Sequence, residues 1–344
     1  MADPRPHRGR AVEPRPGTAR AAEPGHTRSV RHRAVKPPTL DVLRLGLLAT
    51  VQDLGRPGLA HLGVPRSGAA DRDSLLLGNR LLGNPPDAAG IEATALGLDV
   101  RLDQPRWIAV TGATCRVSIA GRPADLHAPQ YVPAGATLSI GRAENGIRTY
   151  LAVAGGIACP PVLHSRSTDT LSGIGPAPLA AGTVLPLGPA AGDPAPVDIA
   201  PRARIPETAW VRLVLGPRDD WFAGDTIDGL FAATYQVSTA SNRVGVRLDG
   251  PEVPVRHSGG LPSEGMVLGA VQIPASGKPI VFLADHPTTG GYPVVGVVHP
   301  DDLWMMAQAA PGTRVRFRRV ATPPTGTVLR LAESARHTAP VNRR

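Results

Sequence analysis

The sequence predicts a mainly β protein with a few helices. Two observations carry that reading. Glycine (39) and proline (38) together make up about a fifth of the 344 residues, a turn density that suits many short strands. Apolar alternation recurs in short runs bounded by Gly, Pro, Asn and Asp, and no strand-helix-strand rhythm is sustained. A doubly wound parallel sheet is therefore not expected. Hydrophobic content of 42% is enough for a core, and aromatic content of only 3% means that core must be Val, Leu, Ile and Ala.

The elements follow in chain order. LDVLRLGLLATVQDLG (40–55) alternates and then breaks at Gly55-Arg56-Pro57-Gly58, a turn signal. The segment 64–93 holds the clearest helix, capped by Ser67 or Asp71. Its apolar face is Leu75, Leu76, Leu77, Leu81 and Leu82, and Gly83-Asn84-Pro85-Pro86 ends it. Arg72 and Asn79, seven apart, share one face of that helix. RWIAVTGA (106–113), CRVSIAG (115–121), ATLSIG (136–141) and IRTYLAVAGG (147–156) read as strands. Residues 191–208 are rich in Pro and Ala and read as a linker. WVRLVLG (210–216) opens a second half. A short helix at 222–233, a strand-turn-strand at 235–250, a helix at 301–312 and a strand at 313–320 complete it. Between them lies a β-hairpin, VLGAVQIP-ASGKP-IVFLAD, running into the polar loop HPTTGGYP. A weak internal echo at a shift of 132 residues, ENGIRTYLA against SGKPIVFLA, suggests two β-domains of similar design.

The net charge of +9 invites a nucleic-acid reading, but its distribution argues against one. Residues 1–38 hold nine Lys/Arg and three Asp/Glu, and residues 321–344 hold four Arg and one Glu. The intervening chain is neutral, with 24 residues of each sign. The basic charge thus sits in two tails, the first too poor in apolar residues to fold. It reads as a solvated extension or as an arm for anionic partners. No run reaches the roughly 20 apolar residues of a membrane helix, and no signal-peptide segment opens the chain. A cytoplasmic protein with two buried free thiols, Cys115 and Cys159, is the expectation.

Familiar catalytic motifs are missing: no GxxxxGK(S/T) phosphate loop, no GxSxG elbow, no HExxH zinc helix. What remains are polar clusters in glycine-rich loops. They comprise Asp53, Arg56 and His61; Asp71, Arg72 and Asn79, followed by Glu92; Ser165 to Asp169; Ser241 to Arg243; Ser263 and Glu264; and His286, Thr288, Thr289 and Tyr292 after Asp285. Arginine forks and loop hydroxyls suit a small anionic substrate and charge stabilisation. Several of these clusters read equally well as ion pairs or turns that stabilise only themselves.

Four segments carry a family resemblance: TVQDLGRPGLAHLGVPRSGAADRDSLLLGNRLLGNPPDAAGIEAT (50–94), YLAVAGGIACPPVLHSRSTDTLSGIG (150–175), SNRVGVRLDGP (241–251) and SEGMVLGAVQIPASGKPIVFLADHPTTGGYP (263–293). In order and spacing they resemble the family of 5-oxoprolinase C-type subunits, also called allophanate hydrolase subunit 2, KipA-like or biotin-dependent carboxyltransferase domain proteins. The resemblance implies two cyclophilin-like β-barrel domains, at 39–190 and 209–320, flanked by the tails 1–38 and 321–344 and joined by the linker 191–208. It implies an ATP-dependent lactam hydrolase active only in complex with two other proteins, a KipI-like B-type subunit and a LamB/YcsF-like A-type subunit. ATP and Mg would be bound at the level of the complex. Two other jobs go with the same resemblance. One is a carboxyltransferase component of a urea carboxylase-like system, with biotin on another chain because this sequence has no Met-Lys-Met. The other is a non-catalytic regulator that binds a KipI-like partner. Within the matching segments, Arg72, Arg166, Arg243 and Glu264 are the expected catalytic residues. Asn79, Ser167, Thr288, Thr289 and Tyr292 are the expected substrate-binding residues. No metal ligands are expected.

Overall fold

A computed structural model describes residues 37–320, apart from 191, 217 and 257–259. Residues 1–36 and 321–344, which hold the expected tails, lie outside the described residues. The chain is mostly β, with three α-helices among the described residues: α1 (Arg72–Leu81), α2 (Gly224–Ala232) and α3 (Leu303–Gln308).

The first half carries its strands in two sheets around one apolar core. One sheet has six strands, with Thr39–Leu45 and Leu98–Leu102 near its middle. The other has five, centred on Gly90–Thr94, Asn145–Val153 and Arg106–Thr114. Leu40, Val100, Ile91, Ile108, Val110 and Leu151 meet between them. The core is built of branched aliphatics, as the scarcity of aromatics requires, and each buried Leu, Ile or Val contributes about 1.5–3 kcal/mol. The predicted leucine helix is α1. Asp71 caps it by accepting from the Ser74 amide at 3.2 Å, and Gly83 follows its end at φ 65°. Of its leucines, Leu75, Leu81 and Leu82 are buried, while Leu76 and Leu77 are half-buried.

The second half closes into a seven-stranded barrel. Thr208–Leu215 alternates cleanly, with Ala209, Val211 and Leu213 inside. It runs parallel to Arg314–Val320, whose Val315 and Phe317 also point inward, and this pairing closes the ring. The predicted hairpin forms as drawn: Ala270–Gln272 pairs with Ile280–Phe282, Val271 opposite Val281. Outside the ring, the half-exposed Trp210 lies under the guanidiniums of Arg316 and Arg318, at 4.6 and 5.4 Å.

The segment read as a linker has neither helix nor strand over its described residues 192–207, yet it is bonded down. Ala195 N donates to Leu81 O, Ala200 N to His127 O, and Asn145 and Ile205 exchange two bonds of 2.9 and 3.0 Å. At the C-terminal end of the barrel sequence, Gln308 of α3 reaches the first half. Its Oε1 accepts from the amides of Ile147 and Arg148 at 3.1 and 3.0 Å. The two halves therefore meet along strand Asn145–Val153.

Candidate active site

The apolar run of the hairpin stops at Asp285, and there the two halves are locked together. Asp285 is fully buried. Its Oδ1 accepts from Ser67 Oγ at 2.8 Å and Arg243 Nη2 at 3.0 Å. Its Oδ2 accepts from Arg243 Nε at 2.9 Å and from the amide and hydroxyl of Thr170 at 2.9 and 2.7 Å. Burial alone would raise its pKa. The charge of Arg243 and the hydrogen bonds from Arg243 and Thr170 outweigh burial and hold the carboxyl below the usual range.

Arg243 carries the network inward. Its Nη1 donates to Glu92 and its Nη2 to Gly68 O at 2.7 Å. Glu92 sits in the fully buried strand Gly90–Thr94. It also accepts from Tyr150 OH at 2.8 Å and Ala70 N at 3.0 Å, with Arg148 Nε at 3.4 Å. Tyr150 OH in turn accepts from Asp71 N at 2.8 Å. Asp71 receives Ser74 Oγ at 2.5 Å, Gln308 Nε2 at 2.7 Å and the Arg202 guanidinium. Two arginines thus balance Glu92 and Asp285, and a third balances Asp71, so the buried charges are paired.

A second knot binds the loop after Cys159. Asp53 Oδ1 accepts from Ser165 Oγ at 2.7 Å, Ser167 Oγ at 2.5 Å and Gly55 N at 2.8 Å, and its Oδ2 accepts from Arg166 N at 2.6 Å. Arg56, 2% exposed, donates Nη2 to Ser167 O at 2.6 Å. Gly175, at φ +95°, lets the loop fold over this contact: a Cβ there would stand 2.1 Å from Ser167 O. Buried beside it, Arg56 Nη1, Thr168 Oγ1 and Asp169 Oδ2 have no hydrogen-bond partner among the described residues.

The outer face is formed by the loop after Asp285. Thr289–Gly290 pairs with Glu264–Gly265 as a two-stranded ribbon, and Met266 N donates to Thr288 O at 2.9 Å. Glu264 receives the Arg218 guanidinium, with Nε at 2.9 Å. Thr289 and Tyr292 are exposed and Thr288 half-buried. His286 lies in sequence between the lock and this face: the residue is 8% exposed, and Nδ1 stands 2.8 Å from Pro287 O.

The expected site residues distribute unevenly over this arrangement. Ser167, with the backbone of Arg166, belongs to the Asp53 knot, while the Arg166 side chain donates Nε to Cys159 O at 2.7 Å. Arg243 is 2% exposed and turned inward, with its Nε, Nη1 and Nη2 all engaged. Glu264, Thr288, Thr289 and Tyr292 share the outer ribbon. Arg72 and Asn79 lie apart, seven residues along α1, a rise of about 10 Å. Asn79 is buried and its amide donates to Pro86 O and Ala88 O at 3.2 and 2.8 Å, anchoring the chain that leaves the helix. Sequence reasoning did not single out Arg148, Tyr150 and Gln308. The legible signal was a charge or large polar group inside an otherwise apolar strand, as at Glu92 and Arg148.

Both cysteines are buried free thiols. Among the described residues no three His, Cys, Asp or Glu side chains stand close enough to hold a metal ion. The described residues include no GxxxxGK(S/T) loop of the kind that cradles a nucleotide.

Residues 62–319 match the family described as carboxyltransferase domain, subdomain A and B. The C subunit of the Escherichia coli 5-oxoprolinase is 34% identical over 284 residues, covering 81% of this chain and 90% of that protein. The urea amidolyase of Saccharomyces cerevisiae is 32% identical over 82% of this chain, but that stretch is 17% of its own length. Among solved structures, the Kluyveromyces lactis urea amidolyase superimposes with a TM-score of 0.78 at 30% identity, over 83% of this chain and 19% of that one. The K. lactis urea carboxylase gives 0.77 at 30% identity, over 83% and 28%. This chain therefore spans a small part of the long urea enzymes and nearly all of the shorter 5-oxoprolinase protein. It belongs to the carboxyltransferase domain family, subdomain A and B.

Proposed function

We propose that this chain is the C-type subunit of an ATP-dependent 5-oxoprolinase that opens 5-oxoproline to glutamate in the cytoplasm together with A-type and B-type subunits. The observation that carries the reading is one of extent. The chain aligns over 90% of the E. coli 5-oxoprolinase protein, which stands as a separate polypeptide, and over 17% of a urea amidolyase. The surface supports it as well. Val162, Leu163 and Leu171, on the loop after Cys159, and Val267 and Tyr292, beside the ribbon of Glu264–Gly265 and Thr289–Gly290, are exposed. Exposed apolar side chains on the segments that carry polar chemistry suit cover by another polypeptide.

In this reading the KipI-like subunit closes over the outer face, and ATP with Mg is held elsewhere in the complex. Arg166, Ser167, Glu264, Thr288, Thr289 and Tyr292 face or support the small anionic substrate. Arg72 and Asn79 shape α1 beneath the first half. Arg243, enclosed as it is, acts by positioning Asp285 and the loop that follows. The two domains take the bounds 39–190 and 209–320.

Reconstitution tests the reading. The purified LamB/YcsF-like and KipI-like subunits, this chain and ATP should together convert 5-oxoproline to glutamate, and no two of the three proteins should do so. If the full set leaves 5-oxoproline intact, the reading fails. A second reading, carboxyl transfer from a biotinylated carrier to a urea-type acceptor, is favoured by the superposition on K. lactis urea carboxylase. It predicts turnover only when such a carrier is added.

A further inference from the structure

The lock, the Asp53 knot and the outer face hold several groups able to take a proton, and bonding eliminates most of them. Asp285 has both oxygens filled by Ser67, Thr170 and Arg243. Asp53 accepts four hydrogen bonds. Glu264 is held by Arg218, which also depresses its pKa. Asp285 and Glu264 are thus held below the usual carboxylate range, and both oxygens of Asp53 are occupied.

His286 differs. Its Nδ1 stands 2.8 Å from the carbonyl oxygen of Pro287. A carbonyl oxygen only accepts, so Nδ1 carries the proton and Nε2 keeps its lone pair. Nε2 makes no hydrogen bond among the described residues and is not one of their buried unpartnered atoms, so it reaches the surface. The Phe282 ring, 6.2 Å between centroids, flanks the imidazole. The charged groups around it are Asp285, Asp169 and Arg66. The ring is thus oriented at one nitrogen and unoccupied at the other, one residue from the lock and two from Thr288.

We propose that Nε2 of His286 is the proton acceptor of this site, taking a proton from an N–H of the amide- or urea-type substrate. The substrate N–H bond breaks and an Nε2–H bond forms while the amide attacks, so that the N–H electron pair passes into the bonds being made and no free amide anion is left. The substrate thereby becomes the nucleophile for the activated group the complex supplies, and the imidazolium returns its proton to the departing product. The inference rests on the 5-oxoprolinase reading. Both 5-oxoproline and urea carry N–H beside a carbonyl: in urea the nitrogen takes the activated group, whereas in 5-oxoproline the carbonyl oxygen takes it, after which water adds at the carbon, the ring C–N bond breaks and the nitrogen leaves with the proton that His286 returns. Burial outweighs the neighbouring carboxylates and pushes the imidazole pKa below its ordinary value, so the neutral form is the one present at neutral pH.

Two measurements test it. In the reconstituted complex, His286→Gln and His286→Asn should lower kcat by about 100-fold or more and abolish the acid limb of the pH–rate profile. Asn can still donate to Pro287 O, so it guards against loss of the loop, and co-purification with the KipI-like subunit verifies assembly. If an assembled variant keeps the acid limb and turns over within about threefold of wild type, the inference is overturned. A wild-type complex without activity would instead count against the 5-oxoprolinase reading. Independently of activity, nitrogen NMR of the isolated chain should find His286 protonated at Nδ1 at neutral pH. Protonation at Nε2 overturns the inference whatever the complex does.

Discussion

Arg243 grips Asp285 with two parallel hydrogen bonds, Nε to Oδ2 at 2.9 Å and Nη2 to Oδ1 at 3.0 Å, and with its remaining amino group it reaches Glu92 in the first half of the chain. One side chain therefore joins the barrel to the two-sheet half. Removing it leaves two buried carboxylates with less compensation. Arg243→Ala should cost about 3–5 kcal/mol in chemical denaturation. Arg243→Lys should recover only part of that, because an ammonium cannot make the paired fork. Wild-type stability in both variants would show that the lock contributes little.

The same network sets a pH dependence. The folded-state pKa values of Asp285 and Glu92 both lie below the usual range: burial opposes ionisation, and Arg243, with Arg148 at Glu92, overcomes it. A depressed carboxylate adds stability that is complete above its unfolded pKa, roughly 4, and is lost as pH falls through the folded pKa. On this account stability should be level from neutrality to about pH 5 and fall steeply below about pH 4. Asp285→Asn should flatten the fall in that acid window. An equally steep fall in the variant would place the linkage on other groups.

Arg166 tests the outer face. Its Nε is committed to Cys159 O, and its backbone amide to Asp53, so the guanidinium is aimed by two fixed contacts. If it stabilises charge in the transition state, Arg166→Ala should lower turnover of the reconstituted complex by at least about tenfold, or roughly 1.4 kcal/mol. Unchanged turnover with unchanged complex formation would remove Arg166 from the reaction.

Much of the architecture was legible because it depends on local chemistry. Asp71 before the leucine run and Gly83-Asn84-Pro85-Pro86 after it bound α1, and alternation marked Thr208–Leu215 and Arg314–Val320. The hairpin into Asp285 was legible for the same reason. The site was less so, because its bonds span great sequence distances. Nothing near Arg243 in sequence indicates that it turns inward to Glu92, 151 residues away, or that Gln308 binds Asp71 across 237. A polar residue bound by a distant partner and one left free for substrate look alike in sequence. The Pro/Ala-rich segment near 200 shows the same limit: its composition reads as a linker, and long-range bonds such as Arg202 to Asp71 pin it down.

The thiols give the last test. Cys115 is 7% exposed, and burial, with Glu144 adding to it, pushes its pKa up to about 12. Cys159 is 8% exposed and also raised by burial, against the pull of Arg166. Thiolate is the reactive form, so both should resist alkylation in the native protein at about pH 8 and label fully in denaturant. Mass spectrometry after a timed iodoacetamide pulse distinguishes the two sites. Because Arg166 lies beside Cys159, Arg166→Ala should leave Cys159 still slower to ionise. Rapid native labelling of Cys159 would mean that the loop after it opens, and that the Asp53 knot is far weaker than its four hydrogen bonds imply.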